Sequence, residues 1–321
     1  MNKRISIKLY LIAGIIVAGA ALLAAKPYVS RVGDRLYSCL RLCAAGNTRD
    51  DDVLRLVTLN LYHGYPEFRN LKGRLELIAH ELDRMQADIV FLQEVPWKSE
   101  VGLAAEYLGR SAGFNYAYFR ANGNYALIRF EEGLAILSRY PLRDPHFMEV
   151  LPKPGGFENR ALLSVTADTA HGPVRLVTTH LSRRRDEQTN AAQTVSLKRY
   201  VDSLGPVPVI IAGDFNALEH SPQVISLNAS WTDAFRVTHP EKAGFTCCLS
   251  REALDAADAG TPFVRLDYIF LASSAQDWRV VSAETVFDRP GKRHGMYQWV
   301  SNHIGVRVDL RPPVSLTGRK Y

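Results

Sequence analysis

Apolar residues recur along this chain with two periods, and each change of period marks the start or end of an element. Val53–Leu59, Asp88–Gln93, Gly133–Leu137, Ala161–Thr166, Val174–Thr179, Val207–Ala212, Leu266–Leu271 and Ile304–Val308 are short runs rich in β-branched and large apolar residues, and they read as strands. Leu71, Leu75, Ile78, Leu82 and Met85 recur instead at three- and four-residue spacing, which predicts a helix between the first two strands. Thr194, Leu197, Val201 and Leu204 mark a second helix, stopped by Gly205 and Pro206. From Val53 onward strands and helices are mixed, with no internal repeat and no low-complexity tract. The pattern predicts an α/β fold, a two-sheet α/β sandwich built as one domain over residues 53–312, with a short tail at 313–321.

The amino-terminal end has a different pattern. Lys3, Arg4 and Lys8 precede an unbroken apolar run, Leu9–Ala25, and positive residues before such a run favour a cytoplasmic amino end. Residues 1–26 therefore read as a membrane anchor, at the short limit of a transmembrane helix, as a signal segment cleaved near Ala18–Ala20, or, third, as a buried helix. Residues 27–52 carry Arg31, Arg35, Arg41, Gly46 and Asp50–Asp52 without a sustained apolar face, and read as a linker. The expected location is membrane-anchored with the main domain extracytoplasmic, or secreted if the segment is removed.

Composition narrows the class. Hydrophobic residues at 47% and charged residues at 22% supply a large core and exclude a disordered chain. A net charge of +6 and a pI near 9.1 suit an anionic partner such as phosphate, nucleic acid or a lipid surface. Two basic clusters sharpen this. Arg183–Arg185 is one, and Asp288–Trp299, which mixes Lys292 and Arg293 with Met296, Tyr297 and Trp299, has the cation-plus-aromatic character of a membrane interface. Both clusters also suit a nucleic-acid backbone. No obligate protein partner is inferred.

The four cysteines do not make a disulfide framework. Cys39 and Cys43 lie four apart, and Cys247 and Cys248 are adjacent, a spacing that rarely bonds. No histidine stands near them at zinc-ligand spacing, so no zinc site is expected.

Candidate chemistry lies where apolar runs stop. Asn60, Glu94, Asp214 with Asn216, and His303 each close such a run, and strand ends of an α/β sheet pool their side chains at one rim. Hydrolysis of a phosphodiester needs charge neutralised on the phosphoryl oxygens, a water made nucleophilic, and a proton for the leaving oxygen. Oxygen ligands suit magnesium, with manganese as a substitute, and Glu94 supported by Asn60 is the expected metal site. His180 and His303 have the near-neutral basicity that can serve a phosphate oxygen or a leaving group.

Asn60, Gln93–Glu94, Thr179–Leu181, Gly213–Asn216, Leu266–Tyr268 and Ser301–His303 come in the order seen in the endonuclease/exonuclease/phosphatase superfamily. The chain resembles that group, which includes deoxyribonuclease I, abasic-site endonucleases, inositol-phosphate phosphatases and neutral sphingomyelinases, over about Val53 to Leu310. The resemblance implies a metal-dependent phosphoric diester hydrolase. It assigns Asp214 to the attacking water and Asn216 to the phosphate. His303 becomes the general acid or base with Asp267 as its orienting carboxylate. Asn159 and Arg160 resemble a phosphate-contacting pair, since guanidinium grips phosphate at two points. One position departs: the family usually has Ser-Asp-His, and here the middle residue is Asn302, which keeps an oxygen ligand beside the metal but removes a negative charge. A phospholipid or related head-group phosphodiester is the expected substrate. DNA or RNA is the alternative, and a non-catalytic binding module on the same fold is the third reading.

Overall fold

The computed structural model describes residues 52–65, 70–123, 129–155, 158–183, 185–257 and 260–313, together with Tyr10, residues 12–17, Gly19 and the backbone of Leu36–Tyr37. Two mixed sheets face each other with helices outside them. The first sheet has the order β1 (Leu36–Tyr37), β5 (Asn115–Gly123), β6 (Glu131–Ser138), β3 (Ile89–Lys98), β2 (Leu54–Asn60), β16 (Gly305–Arg311), β13 (Arg279–Val286), with β4 (Gly102–Leu103) paired to β3. The second has the order β11 (Thr232–Asp233), β12 (Asp267–Leu271), β10 (Val209–Asp214), β9 (Gly172–His180), β8 (Ala161–Thr169), β7 (Leu142–Glu149). A separate hairpin pairs β14 (Gly291–Arg293) with β15 (Met296–Gln298).

The apolar runs are continuous because central strands are buried on both faces. In β3, Ile89 and Phe91 point into the core between the sheets, whereas Val90 and Leu92 point to the helical layer outside. In β10, Ile210 and Ala212 take the inner face and Val209 and Ile211 the outer. The first expected helix, α1 (Leu71–Arg84), buries Leu71, Leu75, Ile78 and Leu82 against the first sheet. α2 (Ala104–Ala112) lies beside it and ends on Gly113 in the left-handed conformation. The second expected helix, α3 (Glu187–Asp202), buries Thr194, Leu197 and Val201, and stops before Gly205. With α4 (Pro222–Asn228) it covers the second sheet, while α5 (Ala234–Thr238) sends Ala234 and Phe235 into the core between the sheets.

The two-sheet α/β sandwich is therefore as expected. β5, β7 and β13 escaped the pattern, the last two because they are edge strands: β13 buries only Ala283 and Val286, so its sequence lacks an apolar run. Among the described residues no helix is long and apolar enough to cross a membrane. The Leu9–Ala25 segment, read as anchor or signal, falls largely outside the described residues.

Candidate active site

Strand register does most of the assembly. β9 and β10 run parallel, β10 and β12 antiparallel, and the pairing sets Asp214 opposite His180 on one side and opposite Asp267 on the other. The strands are close here: a Cβ on Gly213 would lie 2.1 Å from the Thr179 carbonyl oxygen, so only glycine fits. In the first sheet Asn60 ends β2 beside Gln93. Gln93 ties the sheets together, its Nε2 donating to Thr58 Oγ1 (3.3 Å) and Thr178 Oγ1 (3.0 Å).

Glu94 reaches the site differently from expectation. The strand does not stop at Gln93 but runs on to Lys98, and its pairing with β6 slips between Leu92 and Val95. Glu94 sits in this bulge with φ 51°, which re-aims its side chain. Asn216, at φ 49°, is a second non-glycine residue in the left-handed region, where such conformations cluster at functional sites.

Hydrogen bonds then join the two sheets' contributions. Asn60 Nδ2 donates to Glu94 Oε1 (3.3 Å) and to Asp214 Oδ2 (3.1 Å), and Asn60 Oδ1 accepts from the Tyr62 amide (2.9 Å). Asp214 Oδ1 accepts from the Asn216 amide (2.9 Å), and Asn216 Nδ2 donates to the Leu181 carbonyl (3.1 Å). His180 Nε2 lies 3.4 Å and His303 Nε2 3.8 Å from Asp214 Oδ2. His303 Nδ1 is 2.9 Å from Asp267 Oδ2. The His303 loop is docked by Ser301, whose Oγ donates to the Asn60 carbonyl (2.6 Å) and accepts from the His303 amide (3.1 Å). Thr246 Oγ1 holds the other partner, accepting from the Leu266 and Asp267 amides (both 3.1 Å).

The electrostatics follow from burial and neighbours. Burial alone would lower the pKa of His303, but the charge and hydrogen bond of Asp267, with Asp214 and Glu94 behind it, raise it to about 9. His180 goes the other way, pushed well below its usual range by burial and by the charges of Arg160 and His303. Asp214 rises to about 7, through burial first and the Asp267 charge second. For Glu94, burial favours the neutral acid, yet the charges of His63 and His303 and hydrogen bonds from the His63 amide and Asn60 outweigh it and keep the carboxylate ionised.

The donor atoms fit a hard divalent cation. Asn302 Oδ1 and Asp267 Oδ1 are buried acceptors without a hydrogen-bond partner among the described residues, which calls for a cation or water. The Glu94 carboxylate, tied to Asp214 through Asn60, adds oxygen of the kind magnesium takes. Asp214, Asp267 and His303 also present ligand atoms within 4.8 Å of one another.

Asn159 and Arg160 stand on the His180 side. Asn159 is buried, its amide donating to Asn122 Oδ1 (2.7 Å) and its Nδ2 to the Ala121 carbonyl (3.0 Å). Arg160 is buried and ion-paired with Glu158. All ten expected residues thus fall on the segments that build this rim.

Three neighbours were not expected. His63 donates its amide to Glu94 Oε2 (3.1 Å) and stacks edge-on against Phe130; its place three residues after Asn60 was the available signal. Glu132 is a buried carboxyl, hydrogen-bonded to Asn122 and raised in pKa by burial; a carboxylate opening the apolar run from Gly133 was its signal. Cys247 places Sγ 3.4 Å from His303 Nε2, across 56 residues of sequence, and nothing local announces that contact. The expectation that adjacent cysteines stay unbonded does not hold either: Cys247 and Cys248 are joined by a disulfide.

Comparison with known proteins agrees with this architecture. A structure of an endonuclease/exonuclease/phosphatase family protein from Leptotrichia buccalis superposes with a TM-score of 0.62 at 16% identity, covering 80% of this chain and 99% of that one. Humanized D. rerio TDP2 gives 0.63 at 19% identity over 81% and 99% of the two chains. D. rerio TDP2 complexed with a single-strand DNA product gives 0.62 at 20% identity with the same coverage. No curated protein matches the sequence. The family described as Endonuclease/Exonuclease/phosphatase matches residues 57–303, from the middle of β2 to His303 itself. The chain belongs to the endonuclease/exonuclease/phosphatase family of metal-dependent phosphodiester hydrolases.

Proposed function

We propose that the protein is a magnesium-dependent phosphodiesterase acting on a phospholipid or related head-group phosphodiester, with its catalytic domain on the extracytoplasmic side of a membrane. The observation that carries the lipid reading is the β14–β15 hairpin. It displays Met296 and Tyr297 at 70% and 58% exposure beside Lys292 and Arg293, just ahead of the Ser301–His303 loop. Lys292 Nζ lies 5.5 Å from the Tyr297 ring centroid. Cations and large apolar side chains together suit the head-group boundary of a bilayer. Tyr65, Phe245 and Phe263 extend the exposed apolar character on segments joined to the site through His63, Thr246 and Val264.

Glu94, held in place by Asn60 Nδ2, would hold the magnesium with Asn302. A cation held there would supply charge neutralisation for the phosphoryl oxygens. The chain's own groups do the rest. Asp214 is buried and close to neutral in basicity, so it orients the attacking water and accepts its proton. His303 keeps its proton under the influence of Asp267 and presents it to the phosphoryl or leaving oxygen. His180 stays neutral and donates a hydrogen bond. Asn216 and the Asn159–Arg160 segment line the phosphate.

Hydrolysis of labelled phospholipids and of plasmid DNA, each with and without magnesium, tests the proposal. The expected result is magnesium-dependent release from lipid that exceeds cleavage of DNA. Preferred cleavage of DNA would make the protein an extracytoplasmic nuclease, the reading favoured by the DNA-bound neighbour. No hydrolysis of any phosphodiester would leave a binding module. Glu94→Gln separates the metal's role, with magnesium affinity and rate falling together by two or more orders of magnitude. Normal activity in that variant would remove Glu94 from the site.

A further inference from the structure

The dicysteine stands at the centre of the molecule's chemistry and has no part in the mechanism above. Cys247 is buried and Cys248 half-buried. Their two sulphurs and a ring nitrogen of His303 lie within 4.8 Å of one another. The segment is fixed from both sides. Thr246 grips the Asp267 strand through its hydroxyl, its carbonyl accepts from the Ile304 amide (2.7 Å), and the Leu249 amide donates to the Asn302 carbonyl (2.8 Å). Val264 backs the pair, its carbonyl accepting from the Cys247 amide (2.9 Å) while its own amide returns a bond to the Cys247 carbonyl (2.9 Å).

His303 is already set up as a ligand. Its Nδ1 is engaged by Asp267, so Nε2 is the atom left to coordinate, and Nε2 is the atom that Cys247 Sγ approaches at 3.4 Å. A carboxylate fixing one imidazole nitrogen while the other binds metal is the usual outer arrangement of histidine–zinc sites. Two thiolates and one imidazole are soft and borderline donors that select zinc-type cations, whereas the oxygens around Glu94 select magnesium.

We propose that Cys247 and Cys248, once reduced, form with His303 Nε2 a three-ligand site for a soft divalent cation of the zinc type, which silences the neighbouring magnesium-dependent centre. The redox step balances. A dithiol reductant is oxidised to its own disulfide, the Sγ–Sγ bond breaks, and two cysteine thiols form with the reductant's two protons. Binding of the cation then releases both thiol protons and the Nε2 proton of His303, whose freed lone pair completes the site. The oxidised protein has no thiolate to offer and leaves His303 free. Soft-metal binding rests on the ligand geometry alone, while the silencing also rests on the hydrolase reading.

Cobalt(II) is the probe, used on the full chain carrying Cys39→Ser and Cys43→Ser so that only the adjacent pair can contribute sulphur. The reduced protein should show a thiolate-to-cobalt charge-transfer absorption that saturates at one equivalent and is displaced by zinc. The oxidised protein should show none. Cys248→Ser should weaken cobalt binding about tenfold or more and reduce the sulphur band, and His303→Ala should weaken it without removing the band. Zinc should inhibit magnesium-supported hydrolysis in the reduced protein and spare the oxidised one. No sulphur band in the reduced protein, or a band and affinity unchanged by Cys248→Ser, overturns the site; the redox comparison needs no cysteine variant of the pair and so survives a misfolded mutant. A sulphur band in a protein that hydrolyses nothing supports the metal site and overturns the hydrolase reading instead.

Discussion

Two histidines approach the same carboxylate oxygen, Asp214 Oδ2, and the structure drives them apart. His303 has a carboxylate behind it, with Asp267 at 2.9 Å from Nδ1, and its pKa rises to about 9. His180 has a cation behind it, Arg160, and together with burial this holds it well below the usual imidazole range. Each is almost fully buried, so desolvation disfavours the charged form of both; the neighbouring charge decides which one keeps a proton. Separated basicities within one site are how a fold supplies an acid and a neutral hydrogen-bonding partner at the same pH. In the proposed mechanism the His303 half of the rim is the proton donor, and the His180 half orients and polarises.

The largest test of that division is removal of each ring. His303→Ala should lower the rate by about 10²–10⁴-fold, the range for a positioned general acid or base, whereas His180→Ala should cost roughly tenfold. Steady-state rates on a single phosphodiester under saturating magnesium measure both. Equal losses would erase the distinction between the two sides.

Asp267→Asn sharpens the same contrast more gently. The imidazole remains, but without the charge that raises it, so the rate should fall less than in His303→Ala. The double variant should be no worse than His303→Ala, because the two residues act as one unit. Multiplying losses would mean that Asp267 acts elsewhere.

How much of this could be read from the sequence depends on whether the cause was local. Asn60, His180 and Asp214 sit at the ends of strands whose apolar runs are visible, and the expected helix at Leu71–Met85 buries the residues its spacing selected. Glu94 was found for an incomplete reason, since it is a bulge and not a strand end that aims it. β7 and β13 were missed because an edge strand needs few apolar residues to be held in place. The opposite basicities of the two histidines depend on Arg160 and Asp267, residues recognisable in sequence, but the pairing that brings Asp267 opposite Asp214 is a property of register. Cys247 against His303 is the extreme case: only the fold closes that gap.

Stability of the metal-free protein should carry the same signature in its pH dependence. His303 holds a proton more tightly folded than unfolded, so its contribution is present in full below about pH 6.5 and is lost as pH rises through about 9. His180 is the reverse: the folded protein prefers it neutral, so stability present above about pH 6.5 is lost as pH falls below it. The alkaline limb amounts to on the order of 3 kcal/mol at most. Asp214, raised to about 7, contributes stability that is lost as pH rises from about 4 to 7 and so opposes the His180 limb. Thermal unfolding followed from pH 5 to 10 should therefore show the alkaline limb directly, flattened by His303→Gln, and the His180 limb as the difference between the parent and His180→Gln. An alkaline limb that His303→Gln leaves untouched would disprove the assignment of the raised group.

The smallest expected effect is the finest test of the His303 side. Asn302 lies next to His303 with a buried, unpartnered Oδ1, at the position where the family resemblance implies an aspartate. Asn302→Asp adds a charge to the donor set without adding bulk. If the amide oxygen serves the magnesium, the variant should reach half-maximal activity at several-fold lower magnesium, with a rate at least equal to that of the parent. The added carboxylate should also push the His303 pKa further up, extending activity toward alkaline pH while leaving the His180 side unaffected. A magnesium titration at two pH values separates these consequences. A metal requirement that is unchanged or higher in the variant would mean that Asn302 faces the substrate and not the cation, because a new negative charge would then repel an anionic phosphodiester and strengthen nothing.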